Sequence, residues 1–152
     1  MSSEKAIFDI FKSLFDADTG SGGLQNTNSL NAARVVGPFT RRGDPQDTFA
    51  LPRIECEVFD READTTGMSR VEALVRLYVF TDANLSYGGA QGSQNGVASR
   101  VRTVFHRVTP SASNGWNPSI IRRVRSFQGP QSNGVNQQVH EFQLFLQRSS
   151  HA

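Results

Sequence analysis

The chain has 152 residues, and its hydrophobic (37%) and charged (20%) shares exclude a collagen, a coiled coil and a wholly disordered chain. At this length a core forms without a disulfide or metal staple, and the lone cysteine, Cys56, allows no internal disulfide. The net charge of +2 is too small to argue for nucleic acid, and no run approaches the 18 apolar residues of a transmembrane helix.

The first expected element is a helix over 3–15, where Ile7, Ile10, Phe11 and Leu14 recur at three- and four-residue spacing. Ser2 or Ser3 would cap it. The segment carries acids, so it reads as a helix of the domain and not as a signal peptide; synthesis in the cytoplasm is the default. The Gly-, Ser- and Asn-rich run 19–31 ends the helix and is expected to be a mobile loop. A short extended piece from Arg34 stops at Pro38, and 40–50 reads as a second polar loop.

Two alternating runs follow. Over 52–60, Ile54, Cys56 and Val58 share one face, with Arg53, Glu55 and Glu57 on the other. Over 70–80, Val71, Ala73, Val75, Leu77 and Val79 oppose Arg70, Glu72 and Arg76. Period-two alternation of this length predicts antiparallel strands. Their connection, near 60–69, is expected to be a projecting, acid-bearing loop. A glycine-rich connector near 86–96 leads to a second helix over 96–108, which Pro110 ends. Residues 118–127 and 136–148 then read as a second hairpin across a loop near 128–135, with Phe142, Leu144 and Leu146 on its apolar face. The sum is a single α+β domain over 1–152. We expect an antiparallel sheet of about four strands with both helices packed on one face.

Motif by motif, the chemistry points away from catalysis. Gly88, Gly89, Gly92 and Gly96 stand where a phosphate loop would, but no Lys follows, so they read as a connector. Asp16-Ala-Asp18-Thr-Gly20 imitates the start of a calcium loop whose twelfth position is here Thr27. Glu55 and Glu57 sit on one strand, whereas a glycosidase pair flanks a cleft from different elements. His106, His140 and Cys56 have no metal spacing, and Cys56 reads as a small core residue. Neither a cofactor nor a metal is expected, and no enzyme activity.

Charge is more informative in its distribution. Residues 1–64 carry 11 acids and 7 bases; residues 65–152 carry 3 acids and 9 bases. Arg outnumbers Lys 14 to 2, which suits a contact surface and equally follows from a GC-rich coding sequence. Arg100, Arg102 and Arg107 on the second helix, with Arg122, Arg123 and Arg125 on the next strand, form a basic cluster. Its flanking aromatics, Trp116 and Phe127, look isolated, so contact with an acidic protein surface is the expected use rather than base stacking.

Taken in order, the segments SEKAIFDIFKSLF, LPRIECEVF, RVEALVRLYVFTD, VASRVRTVFHRV, SIIRRVRSF and VHEFQLFLQR resemble the tail terminators (tail-completion proteins) of long-tailed double-stranded-DNA bacteriophages. The resemblance covers nearly the whole chain. It implies a structural virion protein at the tail–neck junction, assembled in the host cytoplasm. Six copies would form a ring on the finished tail tube, meet the head-side connector, and let DNA pass through without specific binding; no membrane is involved. On this reading Arg100, Arg102, Arg107, Arg122, Arg123 and Arg125 are candidates for the subunit interface. The acids Glu55, Glu57, Asp60, Glu62 and Asp64 would line the lumen and repel DNA. The alternatives are another neck or tail-tube ring protein, or a small α+β nucleic-acid-binding module.

Overall fold

Three long strands carry the architecture because their alternating apolar residues have one helix-covered side to fill. In the computed structural model, which describes residues 3–20, 23–26, 34–35, 39–44, 51–65, 68–82 and 94–149, the elements in chain order begin with α1 (Ser3–Ala17). Two-residue strands β1 (Gln25–Asn26) and β2 (Arg34–Val35) pair antiparallel with each other. Then come β3 (Phe39–Arg41), β4 (Arg53–Thr65), β5 (Met68–Asp82), α2 (Gln94–Phe105), β6 (Asn117–Pro118), β7 (Arg122–Gln128) and β8 (Val135–Ser149). The main sheet has six strands in the order β3-β4-β5-β8-β6, with β7 also paired to β8.

The α+β class agrees with the sequence reading; the strand count and the purely antiparallel sheet need correction. β4, β5, β8, β7 and β6 pair antiparallel, but β3 joins β4 in parallel, Phe39 opposite Ile54. Local alternation does not reveal such a strand, because its partner lies beyond a chain reversal and its three residues have no period of their own. Expected loops shrink accordingly. Gln25–Asn26 interrupts 19–31, Phe39–Arg41 enters 40–50, and β4 and β5 stay paired out to Thr65↔Met68, leaving only 66–67 to connect them. The apolar alternation of the first strand ends at Val58, with Asp60 next on the helix side, while the backbone ladder continues. The residues of 86–96 before Gln94 fall outside the described residues, and 128–135 closes the second hairpin with a Ser132↔Val135 bridge.

Both helices lie over one face. Ala6, Ile7, Ile10, Phe11 and Phe15 of α1 and Val97, Val101 and Phe105 of α2 join Ile54, Cys56, Val71, Val75, Leu77, Phe142, Leu144 and Leu146 in a single buried cluster. Phe11, Phe105 and Phe142 form its centre, with ring centroids 5.4, 5.8 and 6.1 Å apart. α2 ends three residues earlier than its apolar spacing suggests. Arg107 takes φ 59°, and its N–H donates to Ile121 O while Val108 bridges Ile121. Val108 therefore belongs to a strand-like contact with the start of β7.

The turn after α1 is organised by Asp18. Its carboxylate accepts from Leu24 N at 2.7 Å and from Arg100 Nε at 2.8 Å. A side chain at Gly23 would sit 2.3 Å from Asp18 O, so only glycine fits this turn. Asp18 is thus a fold-building group that ties α1 to α2.

Candidate functional site

Among the described residues no helix or strand covers the sheet face opposite the helices, yet the face is mostly half-buried and Val139 and Glu141 on it are buried. Its aromatic rings are covered by arginines. Guanidinium groups lie over rings in five pairs: Arg42 on Tyr78 (3.9 Å), Arg53 on Phe80 (4.3 Å), Arg70 on Phe145 (4.6 Å), Arg125 on Phe127 (5.0 Å) and Arg76 on Phe59 (5.1 Å). The planar, weakly hydrated guanidinium suits this use. In the basic cluster singled out from sequence only Arg125 covers a ring, Phe127; the other four covered rings lie on β4, β5 and β8, where residues distant in sequence become neighbours. Each ring is already occupied by a guanidinium, so a stacking base would have to displace it.

A row of alternating charge crosses the same face. Glu57 stands opposite Arg76, Arg76 opposite Glu141, and Arg125 opposite Glu141. Glu141 is only 3% exposed; its Oε1 lies 2.7 Å from Arg125 Nε and 3.7 Å from Arg76 Nε. Tyr78 donates its hydroxyl to Glu57 at 2.7 Å, and burial followed by this bond to a carboxylate raises the phenol above its ordinary pKa.

The five candidate acids do not form one surface. Glu55 and Glu57 occupy the helix-free face, where Arg42 and Arg53 pair with Glu55 at 3.5 Å and Tyr78 holds Glu57. Asp60 points to the helix side, hydrogen-bonded by Ser3 Oγ. Glu62 and Asp64 lie on β4 rather than on a loop, and their side chains fall outside the described residues.

The six arginines divide as well. Arg100 is committed to Asp18, which holds its guanidinium firmly charged, and Arg125 is committed to Glu141. The other four, Arg102, Arg107, Arg122 and Arg123, make no ion pair among the described residues. Arg107, Arg122 and Arg123 line a cleft of about 410 Å³ with His106 and Ile120. His106 Nδ1 accepts from Arg123 N at 3.0 Å, which leaves Nε2 to carry the ring proton of the neutral form. Among the described residues these three guanidiniums have no carboxylate partner, and a guanidinium fork matches carboxylates or phosphates in geometry.

That fold recurs in a solved virion. The chain aligns over 97% of its length with 99% of a chain from the virion of a native gene transfer agent particle, at a TM-score of 0.69 and 13% identity. No protein-family model matches the sequence, and no curated protein does. At this identity the likeness is one of fold.

Two buried groups escaped the sequence reading. His140, fully buried on the helix-covered face, accepts from Ser126 Oγ at Nδ1 (2.8 Å) and donates from Nε2 to Gln138 Oε1 (3.0 Å). Burial, with Arg102 and Arg123 nearby, pushes its pKa down to about 4, so it stays neutral at physiological pH. Its place in the apolar register with Phe142 and Leu144 was the available signal. Trp116, 1% exposed under Arg148 at 4.3 Å, is a buried anchor rather than an isolated border residue. Cys56 is 2% exposed and burial raises its thiol pKa, which suits a small core residue. Among the described residues no helix is long and apolar enough to cross a membrane, and no three metal-ligating side chains converge.

Proposed function

We propose that this chain is a structural protein of a phage-type virion that assembles as a ring capping the tail tube. In that place it ends tube growth, meets the head-side connector, and lets DNA pass without specific binding. The observation that carries the reading is the whole-length fold likeness to a virion chain, which agrees with the segment-by-segment resemblance to tail terminators. A ring built head to tail needs two different, complementary patches on each copy. The unpaired arginines around the 410 Å³ cleft supply a basic one. On this reading Arg102, Arg107, Arg122 and Arg123 serve the subunit interface, while Arg100 and Arg125 hold the fold. Ring size six and the identities of the tube and connector partners come from the family resemblance alone.

The lumen-lining role fits the acids less simply. Glu55 and Glu57 already have cationic or hydroxyl partners, so their repulsion of phosphate is muted. A lumen wall made from the helix-free face would present mixed charge, which also avoids a grip on DNA.

The test is native mass spectrometry of the purified chain, alone and mixed with tail tubes. A closed six-fold species, or six copies captured at a tube end, is expected. A chain that stays monomeric and ignores tubes would remove the reading. Strong, salt-dependent binding of single-stranded nucleic acid in that case would point to the binding-module alternative.

A further inference from the structure

We propose that copies of this chain join edge to edge: β7 of one copy pairs antiparallel with the open length of β4 in the next, continuing the sheet across the subunit boundary. The ring closure rests on the function proposed above; the pairing itself rests on four features of the sheet.

The first is that, among the described residues, both outer edges have an open stretch. Among the described residues β4 is bordered by β3 only over Ile54–Cys56, and the outer side of β7 is free of backbone partners over Arg125–Gln128, while Arg123 N is taken by His106 Nδ1 and Ile121 by Val108. Cys56 O faces β3, where it accepts from Arg42 N, so the backbone groups of Val58, Asp60 and the even positions beyond also turn outward. Gly129 N donates to Gln137 O, so the odd positions of β7 face β8 and Ser126 and Gln128 turn outward. The bulge between Arg123 and Arg125 confines regular pairing to Arg125–Gln128.

Direction is the second. β4, β5, β8 and β7 alternate in direction, so β7 and β4 run opposite ways. A neighbour placed by rotation about a ring axis keeps its own directions, and its β4 continues the antiparallel alternation without a break.

Charge is the third. Formal charges along β4 are five acids and two arginines; along β7 they are three arginines and no acid. The edges are complementary to each other and self-repelling when like meets like, which selects a head-to-tail contact over a two-fold one.

The fourth is apolar exposure. Among the described residues the large apolar side chains left exposed are Phe59, Val124 and Phe127, one on β4 and two on β7. An open, apolar edge strand is an aggregation hazard unless it has a partner.

The short β3 sets the stagger. Gln128 lies level with Ile54 through Gln138 and Val79, a position β3 already covers. The neighbour must therefore slide by about four residues, roughly 13 Å at the strand rise. That slide brings Arg122, Arg123 and Arg125 level with positions 61–63 of β4, within the stretch that carries Asp60, Glu62 and Asp64. A stagger of this kind also inclines the strands to the ring axis, as sheet closure requires.

The experiment is a charge swap between edges, read by native mass spectrometry. One variant carries Arg122→Glu and Arg123→Glu; the other carries Glu62→Arg and Asp64→Arg. Each alone presents two like-charged edges, and loss of the oligomer seen with the wild-type chain is expected. Mixed one to one, the two restore both contacts, and closed species with equal numbers of each variant are expected. The rescue also shows that each variant is folded. Assembly of either variant alone at wild-type affinity overturns the pairing, as does a wild-type chain that remains monomeric at millimolar concentration. A mixture that stays monomeric while wild-type rings still cap tail tubes overturns the pairing and leaves the cap function standing. Restored mixed rings that never bind tubes keep the pairing and remove the cap function.

Discussion

The two faces of one sheet solve the same problem in different ways. On the helix-covered face, Val71, Val75, Leu77, Phe142, Leu144 and Leu146 are each fully buried, and the gain comes from apolar area removed from water. On the other face no helix is present, and the rings of Tyr78, Phe80 and Phe145 are covered by guanidiniums from Arg42, Arg53 and Arg70. The first face is stabilised by packing and tolerates little change. The second combines weaker contacts with charged heads over aromatic rings, which keeps that apolar surface hydrated. The difference teaches how labour is divided in this fold: the packed face holds the shape, and the assembly proposed above would draw on the other face and its edges.

Substitutions should separate the faces by size of effect. The largest loss is expected for Phe11→Ala, which empties the centre of the Phe11, Phe105 and Phe142 cluster. Denaturant titration should give a loss of about 3–5 kcal/mol. A loss below about 1 kcal/mol would mean that the packed face is looser than its burial implies.

Next comes the polar exception on that face, His140. Its folded pKa of about 4 lies below the ordinary 6.5, so the unfolded chain takes up the proton first as pH falls. The stability from keeping this ring neutral is fully present above pH 6.5 and is lost between 6.5 and about 4. The loss amounts to about 3 kcal/mol for a shift of this size. The variant His140→Gln should lack this part of the acid slope, whatever its own cost at pH 7. Parallel slopes for the two proteins between pH 6.5 and 4 would contradict the buried, neutral assignment.

The smallest effect is expected on the open face. Arg70→Met removes one guanidinium from the Phe145 ring but leaves an apolar stem over it, so stability should change by under about 1 kcal/mol. A change as large as that of Phe11→Ala would mean that the arginine layer is structural in the same sense as the core.

Much of the fold was legible from local pattern. The period-two runs at 52–60 and 70–80 and the helical stripe at 3–15 name the core-facing residues correctly, because each residue's face follows from its own strand or helix geometry. What escaped was non-local. The parallel strand Phe39–Arg41 and the extension of the first hairpin to Thr65↔Met68 depend on backbone bonds to a partner strand, and these leave no side-chain period. The basic cluster was legible as a list of six arginines, yet their roles were not.

From sequence alone come the α+β class, the apolar face of each long element, and the division into an acidic first part and a basic second part. The tertiary structure decided which charges are committed. Arg100 meets Asp18 across 82 positions of sequence and Arg125 meets Glu141 across 16, while Arg107, Arg122 and Arg123 gather around a cleft without a carboxylate. It also decided that the acid-rich and arginine-rich strands stand toward opposite sides of one sheet, β4 beside the short β3 and β7 beyond β8. The physical reason is range. Periodicity is set by bond geometry within a few residues, whereas ion pairs and sheet edges are set by which distant segments the core brings together.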